Sequence, residues 1–170
     1  MEARRPVADR IPDAEALTVP RWAALAIAGS GFLLLGSFRP WTTLTVSEEA
    51  GNSGLEVTET AGGLAGDGVT TLFFATLVIV TVAIAAVRYE DGPGTWTAIL
   101  TSFSGVAVGF VAYIIYDRER SLQWAYTEGT EGVTASLDLH ASLFVVALGA
   151  VVLTISGLVG IVRTKQRRAR

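Results

Sequence analysis

Four long stretches of the chain carry no charged residue, and polar segments of different kinds separate them. The stretches cover 22–38, 68–87, 92–116 and 139–162, which is 17, 20, 25 and 24 residues. The hydrocarbon core of a bilayer, about 30 Å thick, takes roughly 20 apolar residues at a rise of about 1.5 Å each. All four stretches belong to that class. The first is the shortest, and Arg21 and Arg39 extend it by reaching back toward the two interfaces. The pattern predicts transmembrane helices over 22–38, 69–87, 95–116 and 141–162. Residues 1–20 hold acids and three prolines, an unsuitable n-region for a signal peptide, and no Ala-x-Ala site follows the first stretch. The first stretch therefore reads as a retained span, and 1–20 as a disordered tail.

The segments between the stretches predict the rest. Residues 88–94 end in Asp91-Gly92-Pro93-Gly94, turn chemistry that joins spans two and three as an antiparallel pair. The loops 39–68 and 117–140 are longer, and both alternate. Leu44 and Val46 interleave with Thr43, Thr45 and Ser47. Leu55 and Val57 interleave with Glu56 and Thr58 after a turn at Gly51-Asn52-Ser53-Gly54. In the second loop Leu122, Trp124 and Tyr126 share one face. The turn 128–132 follows, and then Val133, Ala135, Leu137 and Leu139 share a face. Each loop reads as a β-hairpin. A lone hairpin is marginal in water, so the two are expected side by side as a four-stranded sheet. Each half of the chain then runs span, tryptophan, strand, Gly-containing turn, strand, span, with Trp41 and Trp124 in comparable places. The predicted fold is all-α: a four-transmembrane-helix bundle (21–163) with a small extracellular antiparallel β-cap from two hairpin loops, closed by a basic tail over 164–170.

Charge gives this frame a direction. Of the 13 basic residues, ten fall on the side of the termini, and only Arg39, Arg118 and Arg120 on the side of the long loops. Positive charge marks the cytoplasmic side, so both termini are expected inside, in a plasma membrane. Ten of the 16 acids fall outside, and an acidic loop surface usually means a solvated face. Trp22, Trp41, Trp96, Tyr89 and Tyr116 fall at predicted interfaces, where amphipathic rings collect.

A first span ending in Pro40-Trp41, followed by a β-rich loop with Gly54-Leu55 and three more spans, resembles the claudin-type four-span proteins. Their first-loop signature continues with a second Trp and two cysteines. Here Glu56 stands where that Trp would be, and the chain has no cysteine, so barrier or pore activity is not carried over. The 12 Arg against one Lys, the Ala-, Gly-, Val- and Thr-rich spans and the acidic loops also resemble uncharacterised small four-span proteins of haloarchaea and high-GC actinobacteria.

Candidate chemistry is sparse. With no cysteine and a single histidine, thiolate sites and multi-histidine metal centres are excluded. No ionisable residue lies well inside a span, which argues against a proton-coupled transporter and against an acid–base enzyme. His140, at the start of span four, reads as an interfacial polar residue, and Asp67 as part of a connector. The span serines lack a Gly-x-Ser-x-Gly motif. What the spans offer is packing. Thr97, Thr101, Gly105 and Gly109 follow at i+4 steps, and Gly149, Ser156 and Gly160 lie near one face. Small residues let helices approach closely in lipid. Thr101, Gly105, Gly109, Gly149, Ser156 and Gly160 are expected at helix contacts, within the bundle or in a homo-oligomer. Trp41, Gly54 and Trp124 are expected to be structural in the loops. The chain is expected to be a non-enzymatic structural or accessory protein of the cell envelope, with the acidic cap as its interaction surface. Its partners would be the bilayer and a membrane protein or a second copy. No catalytic, cofactor, metal or nucleic-acid site is expected. The other function class is a subunit of an oligomeric pore or small-molecule transporter.

Overall fold

The structure, a computed structural model, describes residues 20–48, 56–64, 67–88, 94–129 and 132–169. The N-terminal tail, the turn containing Gly54, and most of the 88–94 connector lie outside the described residues. The elements in chain order are α1 (Arg21–Ser37), β1 (Thr42–Glu48), β2 (Glu56–Ala61), α2 (Gly68–Arg88), α3 (Thr95–Gly129), β3 (Val133–Leu139) and α4 (Ala141–Arg168). Three helices are long and apolar enough to cross a membrane. They are Gly68–Val87, Thr95–Gly129 and Ala141–Gln166, whose most apolar 18-residue stretches have mean hydropathies of 2.4, 2.0 and 2.6. The apolar helix α1 is shorter, at 17 residues.

Each helix buries one stripe and exposes apolar side chains elsewhere. On α3 the buried stripe is Thr97, Ala98, Thr101, Ser104, Gly105, Val108, Ala112, Ile115 and Glu119, at helical spacing throughout. Helix α4 lies between α1 and α3 and packs extensively on both, α2 packs chiefly on α1, and the α2–α3 contact is thin. Close approach depends on missing Cβ atoms. Gly149 faces α1, where a Cβ would come 2.9 Å from Gly29 O and 2.8 Å from the Leu33 side chain. Gly105 faces α4, where a Cβ would come 2.5 Å from Thr154 Oγ1 and 2.6 Å from Ala150 O. Leu33, Val78, Val82, Val108, Val146 and Leu153 fill the space between the helices.

The sheet has three antiparallel strands in the order β2-β1-β3, which corrects the expected four-stranded, two-hairpin cap. Residues 117–129 form no strand, because α3 runs on through them to reach 35 residues, roughly 52 Å at 1.5 Å per residue. No Gly or Pro interrupts the chain between Asp117 and Glu128, and extending an existing helix needs no new nucleus. Leu122, Trp124 and Tyr126 therefore point in different directions around a helix instead of sharing a strand face. The expected internal repeat goes with them, since the second half has one strand where the first has two. Strand β3 pairs with β1 from Thr42↔Leu139 to Glu48↔Val133. Because α1 leads into β1 and β3 leads into α4, the packed α1–α4 pair continues directly into the β1–β3 pair. The hydrogen bonds His140 N to Trp41 O and Trp41 N to Ala61 O, both 2.9 Å, carry the ladder into this junction.

Helix α4 continues through the basic tail to Arg168.

Candidate functional site

The end of the bundle that carries the sheet holds the features most open to a functional reading. Its anchor is Trp41. The indole is fully buried, and its Nε1 donates a 3.0 Å hydrogen bond to Gly36 O at the end of α1. Gly62 has φ +83°, a conformation side chains rarely adopt, and a Cβ there would sit 2.5 Å from the Trp41 ring. A glycine thus turns the chain out of β2 and lets the indole close the bundle. Ser142 Oγ donates to Pro40 O across the same junction. His140 Nε2 and Thr43 Oγ1 share a 2.7 Å hydrogen bond that ties β1 to the start of α4.

The register of the strands defines two faces. One face is made of rows across the sheet: Thr43 between Thr60 and Asp138, Thr45 between Thr58 and Ser136, and Ser47 between Glu56 and Thr134. Every one of these nine side chains is a hydroxyl or a carboxylate. Period-2 alternation makes this face polar. The other face presents Leu44 between Glu59 and Leu137, and Leu44 is buried. The extension of α3 packs there, and Gln123 Nε2 donates to Ala135 O at 3.3 Å.

Glu119 lies on this extension, three residues beyond the apolar stretch ending at Tyr116. It is 1 % exposed, and its Oε2 has no hydrogen-bond partner. Burial pushes its carboxyl above the ordinary carboxylate range. Arg118 pulls it back down, and the negative charge of Glu59 adds to the rise. Glu119 is therefore not one of the solvated outer acids expected from the charge pattern. The signal was present, since Glu119 falls four residues after Ile115 and eleven after Val108, on the buried stripe.

The other predicted residues divide. Thr101, Gly105, Gly149, Ser156 and Gly160 are buried at helix contacts within the chain. Gly109 is half-buried, with ordinary contact distance to Ala150. Gly157 was missed, although a Cβ there would strike the α3 backbone at Ser102 N and Ala98 O. Trp41 is fully buried, with its Nε1 bonded to Gly36 O. Trp124 is exposed on α3 and has no matching place, and Gly54 lies outside the described residues. Trp22 is buried against Gly160 instead of facing an interface, and Trp41 likewise, whereas Trp96 is 82 % exposed. Several helix hydroxyls are satisfied locally. Ser30, Ser37, Thr81, Thr101 and Thr154 each donate to the carbonyl four residues back. Among the described residues, no group of three or more His, Asp or Glu side chains is placed to hold a metal ion.

Comparison with known proteins adds no relative: no family model matches the chain, and no curated protein does.

Proposed function

We propose that the protein is an integral membrane protein of the cell envelope with four spans, α1 being the fourth. Both termini are cytoplasmic, and the sheet stands outside as a docking surface for another envelope component. One observation carries this reading. All four helices turn large apolar side chains outward, including Leu25 and Leu35 of α1, Phe73 of α2, Phe110 of α3 and Phe144 of α4. A collar of that size around the whole bundle is not stable in water, and helices that satisfy their own backbone suit lipid. Helix α1 exposes apolar groups as the three longer helices do, and at roughly 25 Å it is flanked by Arg21 and Arg39.

The polar face of the sheet supports an accessory role. It carries Glu56 and Asp138, with hydroxyls at its other seven positions and no base. Gly29, Gly36, Gly105, Gly149, Gly157 and Gly160 are occupied in contacts between helices of one chain, which favours a monomeric bundle over assembly through those residues. The protein acts by holding a partner, without a catalytic step of its own.

Two measurements test this. Because the chain has no cysteine, Ser136→Cys and Gln166→Cys each give one label site. An impermeant maleimide on intact cells labels Ser136→Cys only; the reverse pattern inverts the orientation. Gentle solubilisation should bring down a stoichiometric partner that is lost in the double variant Glu56→Gln, Asp138→Asn. A clean homo-oligomer that passes ions in proteoliposomes would overturn the accessory role in favour of a pore.

A further inference from the structure

Glu119 is the one charged side chain that is buried among the described residues. It occupies a position that packing alone would fill with an apolar group, because Val108, Ala112 and Ile115 precede it on the same stripe. What lies around it is specific. By register, the sheet face turned toward α3 carries Thr42, Leu44, Val46 and Glu48 from β1 and Val133, Ala135, Leu137 and Leu139 from β3, with Glu48 at its far end the one charge among them. From β2 it presents Glu59, directly opposite Leu44. On α3 itself the neighbouring charge is Arg118, which is exposed. The buried oxygen thus has no hydrogen-bond partner, and the charge of Glu59 disfavours its ionised form while that of Arg118 favours it. An ionised carboxyl so placed is costly, while a protonated one is tolerable.

We propose that Glu119 is a proton-operated latch between α3 and the sheet. Protonated, its side chain stays buried and the sheet lies on the helix. Ionised, it withdraws into water, and the inner face of the sheet separates from α3. The latch rests on the position of these side chains and not on the docking role proposed for the outer face. The sign follows from linkage. A carboxyl held above its ordinary range when docked favours docking fully at lower pH, and this contribution is lost as the pH rises through the raised value.

The test uses the full chain in detergent micelles, spin-labelled at Ala125→Cys on α3 and Ser136→Cys on β3, both exposed. Distances are read by pulsed electron resonance across the range from acidic to alkaline pH. One short distance is expected at acidic pH. A longer one should grow in above the ordinary carboxylate range, the ratio of long to short rising about tenfold per pH unit, as a single proton requires. Glu119→Gln keeps the short distance throughout. Glu59→Gln removes a like charge and moves the midpoint to lower pH. The same transition in Glu119→Gln, or no transition in the parent, overturns the latch. Should Glu119→Gln fail to fold, Glu59→Gln decides, because a midpoint that does not move overturns it equally. Closure at alkaline pH on adding calcium would replace the proton by a cation and also overturn it.

Discussion

Gly105 and Gly109 look equivalent in the sequence, and the structure separates them sharply enough to predict opposite outcomes for the same substitution. A Cβ at position 105 would stand 2.5 Å from Thr154 Oγ1 and 2.6 Å from both Ala150 O and Thr154 N. Two of those three atoms are backbone, so rotating the Thr154 side chain does not relieve the clash. The helices must part by about 1 Å to reach an ordinary contact of roughly 3.5 Å, along the most extensive helix contact in the bundle. Overpacking of this kind costs about 1–3 kcal/mol. At position 109 the nearest atom is Ala150 Cβ at 3.7 Å, so the added methyl meets an ordinary neighbour. Removing a glycine from a helix interior there gains roughly 0.5–1 kcal/mol. The gain from removing a helix glycine is common to both sites, so Gly105→Ala and Gly109→Ala should differ by the overpacking cost, about 1–3 kcal/mol, roughly fivefold or more in the folding equilibrium. Titrating denaturing detergent into mild micelles, with the buried Trp22 and Trp41 as fluorescent reporters, gives both midpoints. Equal midpoints, or a lower one for Gly109→Ala, would refute this account of the α3–α4 contact.

The two loop tryptophans should part company in the same assay. Trp41→Phe loses the hydrogen bond to Gly36 O, worth about 1 kcal/mol. Trp41→Ala empties a fully buried site at a cost of about 3–5 kcal/mol. Trp124→Ala, on an exposed face, should stay within about 0.5 kcal/mol of the parent. Gly62→Ala combines a positive φ with a contact against Trp41. It should lower the midpoint by about 1–3 kcal/mol, and a midpoint unchanged from the parent would show that the indole has room to move.

How much of this was legible in the chain depends on the range over which each signal acts. The apolar stretches located all four helices, because solvent preference accumulates over some twenty residues and leaves little ambiguity. The alternation in 42–48 and 133–139 located two strands for a similar reason: one face of each had to be apolar. In 117–129 the same test failed. Leu122, Trp124 and Tyr126 alternate, but Ile115, Glu119, Leu122 and Gln123 also fall at helical spacing, and so short a window fits both periods. A charge marks a change of solvent, whereas ending a helix takes a breaker or a cap, and none occurs before Gly129.

By itself, then, the sequence determined the helices, the apolar character of their outward faces and the polar face of the sheet. Each of these follows from what a residue and its near neighbours prefer to touch. The tertiary structure alone decided that β1 pairs with β3 because α1 packs on α4. It decided that Gly105 and Gly157 sit at closest approach while Gly109 does not, and that Trp41 is a buried anchor while Trp124 is exposed. It also buried Glu119 on the extension of α3, within reach of the charge of Glu59. These are relations between residues far apart in the chain, and they depend on crossing points and register, which local preference does not encode.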